Sequence, residues 1–196
     1  MSIVLVGSTS GSVTLQEPAV AGTTVLTLPA VSGNVLTDTS PKAGNVLQVV
    51  NAIKTDTSST SSTSYSDISG LSVSITPTSS SSKILVLVNV DGSNDNGGLA
   101  IQLVRNSTAI AVGTAASGNQ LNVTLANYYN NTDPNSHRSS GITFLDSPAT
   151  TSATTYKLQF RIGTSGNGYV NRSSGTDNAA YNMYAVSTIT VMEIAA

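Results

Sequence analysis

Prolines interrupt an eleven-residue repeat at the start of the chain, and they restrict the structures open to this segment. The repeat is marked by Gly11, Gly22, Gly33 and Gly44, with Pro18, Pro29 and Pro41 between them. An eleven-residue period also occurs in right-handed coiled coils. A helix is excluded here because each proline would cost about 3 kcal/mol in a helix interior. The repeat therefore predicts short extended segments with turns at these glycines.

Residues 1–44 are predicted to form an extended N-terminal arm or stalk. Each repeat has only two to four apolar side chains, too few to bury a core without neighbouring units. Three copies of the chain wound about a common axis would cover these side chains and pair the exposed edges. An intertwined stalk is therefore one hypothesis, and a polar arm that becomes ordered only on a partner is the other.

Residues 45–196 show strand patterns in place of the repeat. GLSVSITP alternates apolar residues with serine and threonine, as a half-buried strand does. KILVLVNV, from Lys83 to Val90, is a continuous apolar run and is predicted to be the most buried, central strand. About nine strands are predicted in all, with turns rich in glycine and asparagine and no helical period. The prediction is an all-β protein with a β-sandwich domain.

The sparse charge argues against several classes of partner. Charged residues make up 9% of the chain, the net charge is −2 and the 8 basic residues are scattered singly, so no basic field attracts phosphate groups. The apolar start IVLV is too short for a signal peptide, and no later stretch approaches the ~20 apolar residues of a membrane span. We expect no nucleic-acid partner, no membrane insertion and synthesis in a cytoplasm. The absence of cysteine excludes disulfides.

The residues that catalysis requires do not form a recognisable pattern. His137 is the only histidine, and its neighbours Ser136 and Asp133 in DPNSHR are too close in the chain to meet readily in triad geometry. Most acidic residues stand beside glycine, asparagine, serine or proline, where aspartate commonly caps turns. We therefore expect no enzymatic activity, no catalytic residue and no cofactor. A glycan-degrading enzyme with a carboxylate pair is the remote alternative.

The segment DGSNDNGG, from Asp91 to Gly98, offers oxygen ligands of the kind that Ca²⁺ takes. The ligand candidates are Asp91, Asn94, Asp95 and Asn96. The segment lacks the spacing of a calcium hand and has no bidentate glutamate to close the site. A hairpin turn without a metal is the favoured interpretation, and a bound Ca²⁺ is the alternative.

Tyrosines alternate with amides in two stretches near the carboxyl end. The first is Tyr128, Tyr129, Asn130 and Asn131, and the second is NAAYNMY, from Asn178 to Tyr184. Such surfaces stack on sugar rings while hydrogen-bonding their hydroxyl groups, so the first stretch is a candidate receptor-binding site. The alternative is that these tyrosines pack on the core or at a trimer axis with the hydroxyl at the rim.

Two parts of the chain resemble a known family. SGSVTLQEPAVAGTTVLTLPAVSGNVLTD resembles the amino-terminal segment of many phage tail-fibre and virion-surface proteins. LQVVNAIKTDTSSTSSTSYSDISGLSVSITPTSSSSKILVLVNV, LVRNSTAIAVG, FLDSPATTSATTYKLQFRI and STITVMEIAA resemble the carboxy-terminal domain often found with it. The resemblance implies a homotrimeric bacteriophage structural protein on the virion surface, made in the host cytoplasm, whose knob is a jelly roll like those of C1q and tumour-necrosis-factor ligands.

The resemblance leaves two positions on the virion open. In the first, the arm joins the tail, and the knob of a fibre or spike contacts the host, where three weak contacts gain affinity through avidity. In the second, the protein is a capsid decoration protein that stabilises the shell by burying surface across coat subunits. The expected partners are two further copies of the chain, other virion proteins of the tail or capsid, and a host surface glycan.

Overall fold

The computed structural model describes residues 3–6, 12–15, 42–114, 118–127, 135–175 and 177–196. The chain divides into two compact units, Met1–Val35 and Leu36–Ala196. In the first unit, β1 (Ile3–Val6) pairs antiparallel with β2 (Ser12–Leu15). Three of the repeat glycines lie outside the described residues, so the stalk and its boundary at residue 44 stay predictions. Gly44 lies in a turn with a φ of 87°, which glycine adopts without steric cost.

The second unit is built from antiparallel strands. They are β3 (Val46–Lys54), β4 (Ser58–Thr60), β5 (Ser66–Ile75), β6 (Lys83–Asn94), β7 (Leu99–Arg105), β8 (Thr108–Ile110), β9 (Leu125–Asn127), β10 (Arg138–Asp146), β11 (Thr154–Ile162), β12 (Gly168–Val170) and β13 (Ser187–Ile194). The described residues form no helix, and hence none that is long and apolar enough to cross a membrane. The predicted all-β class is confirmed.

The strands form two sheets that face each other as a sandwich. Sheet I has the order β3-β13-β6-β10, and the short strands β12 and β4 extend it beside the end of β6. Sheet II has the order β5-β11-β7, followed by β8 and β9 side by side on β7. Among the long strands, the first, β3, therefore pairs with the last, β13, and the second, β5, pairs with the last but one, β11. This pairing order is that of a jelly roll.

The core lies between the two sheets, and alternate residues of each strand fill it. Ile84, Val86, Val88 and Val90 of β6 are at most 5% exposed, and they pack on apolar residues of β5, β11 and β13. Each such side chain contributes about 1.5–3 kcal/mol when it is buried. β6 pairs with β13 on one edge and β10 on the other, which confirms that KILVLVNV is a central strand. The prediction that it is the most buried strand was wrong, because alternate residues of this run face outward while β7 is buried at most of its positions.

The predicted turn DGSNDNGG is only partly a turn, because β6 continues through Asn94. Asp91 and Asn94 are buried, and the Asp91 carboxylate is hydrogen-bonded within the domain. A buried polar side chain that has hydrogen-bond partners is tolerated in a strand, so the strand can continue beyond its apolar run. The reversal is confined to residues 95–98, where Gly97 and Gly98 adopt φ values of 74° and 73°.

The two ends of the sandwich carry different parts of the chain. The chain enters the domain where Val46 pairs with Ile194 and where the Gly44 amide donates to the Ala195 carbonyl at 2.8 Å. We call this the proximal end. The strand registers place Lys54, beside Ser187, at the other end, which we call the distal end. Residues 171–175 and 177–186 and the start of β10 lie at this distal end.

Candidate assembly face and distal loops

The outward face of sheet I carries a row of apolar side chains that crosses all four long strands. Met192 of β13 pairs with Val49 of β3 and with Leu85 of β6, and Leu85 pairs with Leu145 of β10. Val49 and Leu145 are both 55% exposed. An outward strand position in a solvated antiparallel sheet is normally polar, so this row departs from the usual pattern.

The two neighbouring rows each add one apolar side chain among polar ones such as Asn51 and Thr190. Leu87 lies two residues along β6 from Leu85, and Ile53 of β3 is 60% exposed in the row beyond. We call Val49, Ile53, Leu85, Leu87, Leu145 and Met192 the assembly face. In the described rows from Lys83 to Asn89, Lys83 is the only charged side chain on this face. A face with so little charge meets no electrostatic repulsion when it contacts a second copy of itself.

The outward face of sheet II is polar by contrast. Lys157 donates to Asp67 at 2.8 Å, and Gln159 bonds both Asp67 at 2.7 Å and Gln102 at 2.8 Å. These side chains satisfy one another's hydrogen-bonding groups, and their remaining polar atoms can bond water on the same surface. The two sheets therefore differ in their outward chemistry, and only sheet I presents an extended apolar surface among the described strands.

At the distal end, the single histidine binds a buried carboxylate. His137 Nδ1 lies 2.7 and 2.9 Å from the two carboxylate oxygens of Asp91, and the Ser139 hydroxyl donates to the same carboxylate at 3.0 Å. In a catalytic triad the serine would instead bond the imidazole that activates it. The group therefore ties the start of β10 to β6. Asp133 lies outside the described residues, and the sequence did not predict the contact because Asp91 and His137 are far apart in the chain.

The Asp95 carboxylate is occupied by donors from the chain itself. Oδ1 accepts from the Asn167 backbone amide at 2.6 Å, and Oδ2 accepts from the Asn167 side chain at 2.8 Å. Burial alone would raise the pKa of Asp95, but the two Asn167 donors outweigh it and lower the pKa below its usual range. The described residues contain no group of three or more histidine, cysteine or acidic side chains suited to a metal ion. The loop geometry favours a turn braced by Asp95.

The two tyrosine-rich stretches differ in what the structure describes. Tyr128, Tyr129, Asn130 and Asn131 lie outside the described residues, so their receptor role stays a prediction. The second stretch forms a surface loop at the distal end, in which Tyr181 is 52% and Tyr184 is 74% exposed. These two tyrosines do not pack into the core of the domain.

Comparisons with known proteins assign no family. No protein-family model matches the chain, and no curated protein matches it. Among solved structures, a chain described as "Structure of infectious bursal disease virus Gx strain" is similar, with 14% identity and a TM-score of 0.30 over 97% of this chain. The match spans 45% of the length of that chain. A likeness this weak supports neither a fold assignment nor a function.

Proposed function

We propose that this protein is a non-enzymatic structural protein of a phage virion surface, and that three copies assemble through the assembly face of sheet I. The observation that carries the proposal is the apolar outward row Val49–Met192–Leu85–Leu145, opposite a second sheet whose outward face is polar. Contiguous exposed apolar patches on folded domains mark interaction sites. The virion setting is supported by the resemblance of the arm and of the knob to virion-surface proteins.

The size of the assembly face indicates how the copies associate. A strand spacing of about 4.8 Å and a rise of about 3.4 Å per residue give three outward rows of four strands an area of roughly 400 Å². Only the Val49 row is apolar throughout. A stable interface buries about 800 Å² per partner. The face therefore supplies at most about half of what a lasting contact needs. In the proposal, the N-terminal arm supplies the remainder by covering its apolar side chains with those of sister chains.

The arrangement of the domain suits a surface role. The chain enters at the proximal end, while the tyrosine and asparagine residues of segment 171–186 lie at the distal end. In the proposal, the arm joins other virion proteins of the tail or capsid, and the distal loops contact the host. The His137–Asp91 contact braces the structure, and the proposal assigns it no chemical step.

A charge placed in the assembly face is expected to dissociate the oligomer. Leu145→Glu and Val49→Glu put carboxylates at two positions that are 55% exposed, so the monomer should keep its fold. Burying like charges together costs several kcal/mol, and association should weaken by about 100-fold or more. Sedimentation velocity at micromolar concentration measures the change from trimer to monomer.

The matched control is Ser74→Glu, at an exposed outward position of β5 on the polar face of sheet II. This variant adds the same charge and should remain trimeric. A wild-type chain that sediments as a monomer, or a Leu145→Glu variant that stays trimeric, contradicts assembly through this face. Labelling intact particles with an antibody against residues 45–196 tests the virion role, and the position of the label distinguishes a tail from a capsid location. Particles without label contradict that role.

A further inference from the structure

Residues 171–175 and 177–186 form a polar cavity at the distal end that the proposed assembly does not use. The cavity has a volume of about 280 Å³ and is lined by Gly175, Asp177, Asn178, Ala179, Asn182 and Tyr184. Sites for small organic molecules start at about 300 Å³, so this cavity suits a ligand no larger than one sugar ring. Its lining combines amide, carboxylate and aromatic groups.

Hydrogen bonds within the loop hold the cavity in shape. Asn182 accepts from the Ser173 hydroxyl at 3.0 Å and donates to the Asp177 carbonyl at 2.7 Å. The Asp177 carboxylate accepts from Asn182 through one oxygen and from the Tyr181 hydroxyl through the other. An isolated β-bridge between Arg172 and Tyr184 fixes the far side of the loop. A site that is already formed loses little entropy when a ligand binds.

The chemistry of the lining selects a class of ligand. Tyr184 is 74% exposed, and the negative face of its ring attracts the weakly positive C–H groups of a sugar ring. Asn178 presents an amide at the same cavity, and each Asp177 oxygen can accept one further hydrogen bond beside its donor from the loop. Both groups therefore suit the hydroxyl groups of a sugar. The described residues that line the cavity include no lysine, arginine or histidine, so they offer an anionic sugar no partner for its charge.

We propose that the cavity beside Tyr184 binds a neutral pyranose sugar of a host surface glycan. Tyr184 is the stacking platform, and Asp177 and Asn178 bind the sugar hydroxyls. The inference deepens the proposed function, on which it rests for the source of the glycan. Three such cavities on one trimer would give the avidity that a weak single site requires.

Saturation-transfer NMR of the full chain with methyl glycosides of glucose, galactose, mannose and N-acetylglucosamine tests the site. At least one neutral glycoside should receive saturation, and N-acetylneuraminic acid should not. Tyr184→Ala should weaken binding by about tenfold, while Tyr184→Phe keeps the ring and should bind like the wild type. Tyr65→Ala removes a tyrosine that lies beside Arg161 and outside the cavity, and it serves as the control.

The outcomes separate this inference from the proposed function. The absence of a signal from every neutral glycoside, or equal binding by Tyr184→Ala and the wild type, overturns the sugar site. Because Tyr184 is exposed, Tyr184→Ala should keep the unfolding temperature of the wild type. Labelling of particles by the antibody test is independent of Tyr184, so a labelled particle with no sugar binding refutes the site alone. Sugar binding by a chain that is absent from particles refutes the virion role alone.

Discussion

Replacing Asp146 with alanine is expected to lower the free energy of unfolding by about 3 to 5 kcal/mol, because it removes one partner of a buried ion pair. Both carboxylate oxygens of Asp146 lie 2.9 Å from Arg105 Nη1, and the Tyr156 hydroxyl donates to Oδ2 at 2.7 Å. Asp146 is on β10 of sheet I, whereas Arg105 and Tyr156 are on β7 and β11 of sheet II. The carboxylate therefore joins the two sheets.

The expected loss is large because one partner of Asp146, Tyr156, has no access to water and the other, Arg105, has only partial access. Tyr156 is fully buried, and the Arg105 side chain is only 28% exposed. Burial raises the pKa of Tyr156 well above its usual range, and the hydrogen bond to Asp146 raises it further. The hydroxyl is therefore protonated at neutral pH and, in the alanine variant, would be left without its acceptor. An unsatisfied buried donor costs about 1–3 kcal/mol by itself.

Equilibrium unfolding in urea measures this difference, at one protein concentration because oligomerisation adds to apparent stability. The control is Asp67→Ala, which removes an acid from an ion pair with Lys157 of similar length. Asp67 is 54% exposed, so this variant should lose about 1 kcal/mol or less. Equal losses for the two variants would mean that Asp146 contributes no more than a surface ion pair.

Replacing Glu193 with glutamine is expected to lower the free energy of unfolding by about 1.5–3 kcal/mol at neutral pH, since its hydrogen bonds involve a charged acceptor. Glu193 is fully buried on β13. One carboxylate oxygen accepts from the Gln48 side chain at 2.6 Å, and the other accepts from the Thr78 amide and hydroxyl, each at 2.7 Å. A glutamine would point its amide group at one of these donors.

The same contacts set the acid dependence of stability. Burial alone would raise the pKa of Glu193, but the donors on Gln48 and Thr78 outweigh it and lower the pKa below its usual range. The stabilisation is therefore fully present above the unfolded-state pKa of about 4.3 and is lost as pH falls through the folded-state pKa. The difference between wild type and Glu193→Gln should shrink in acid. A difference that is the same at pH 7 and pH 2 contradicts this assignment.

Local patterns predicted the class of fold and its central strand. Alternation of period two in β5 and the apolar run of β6 are properties of short stretches, and they identify strands whatever the rest of the chain does. The proline repeat excluded a helix on the same local grounds. The end of β6 was placed too early, because its last residues are polar and reach buried partners that lie far away in the chain.

The assembly face and the side-chain contacts between strands depend on residues far apart in the chain, and local sequence patterns do not predict them. The apolar run predicts that Leu85 and Leu87 belong to a buried strand. In the paired sheet they face outward, beside Val49, Met192 and Leu145. The assembly face exists only in that register. Asp91 and His137 meet because β6 and β10 pair within sheet I, and Asp146 meets Arg105 because the two sheets close on each other. Strand identity depends on neighbours in the chain, whereas sites depend on which strands lie side by side, and folding alone brings those residues together.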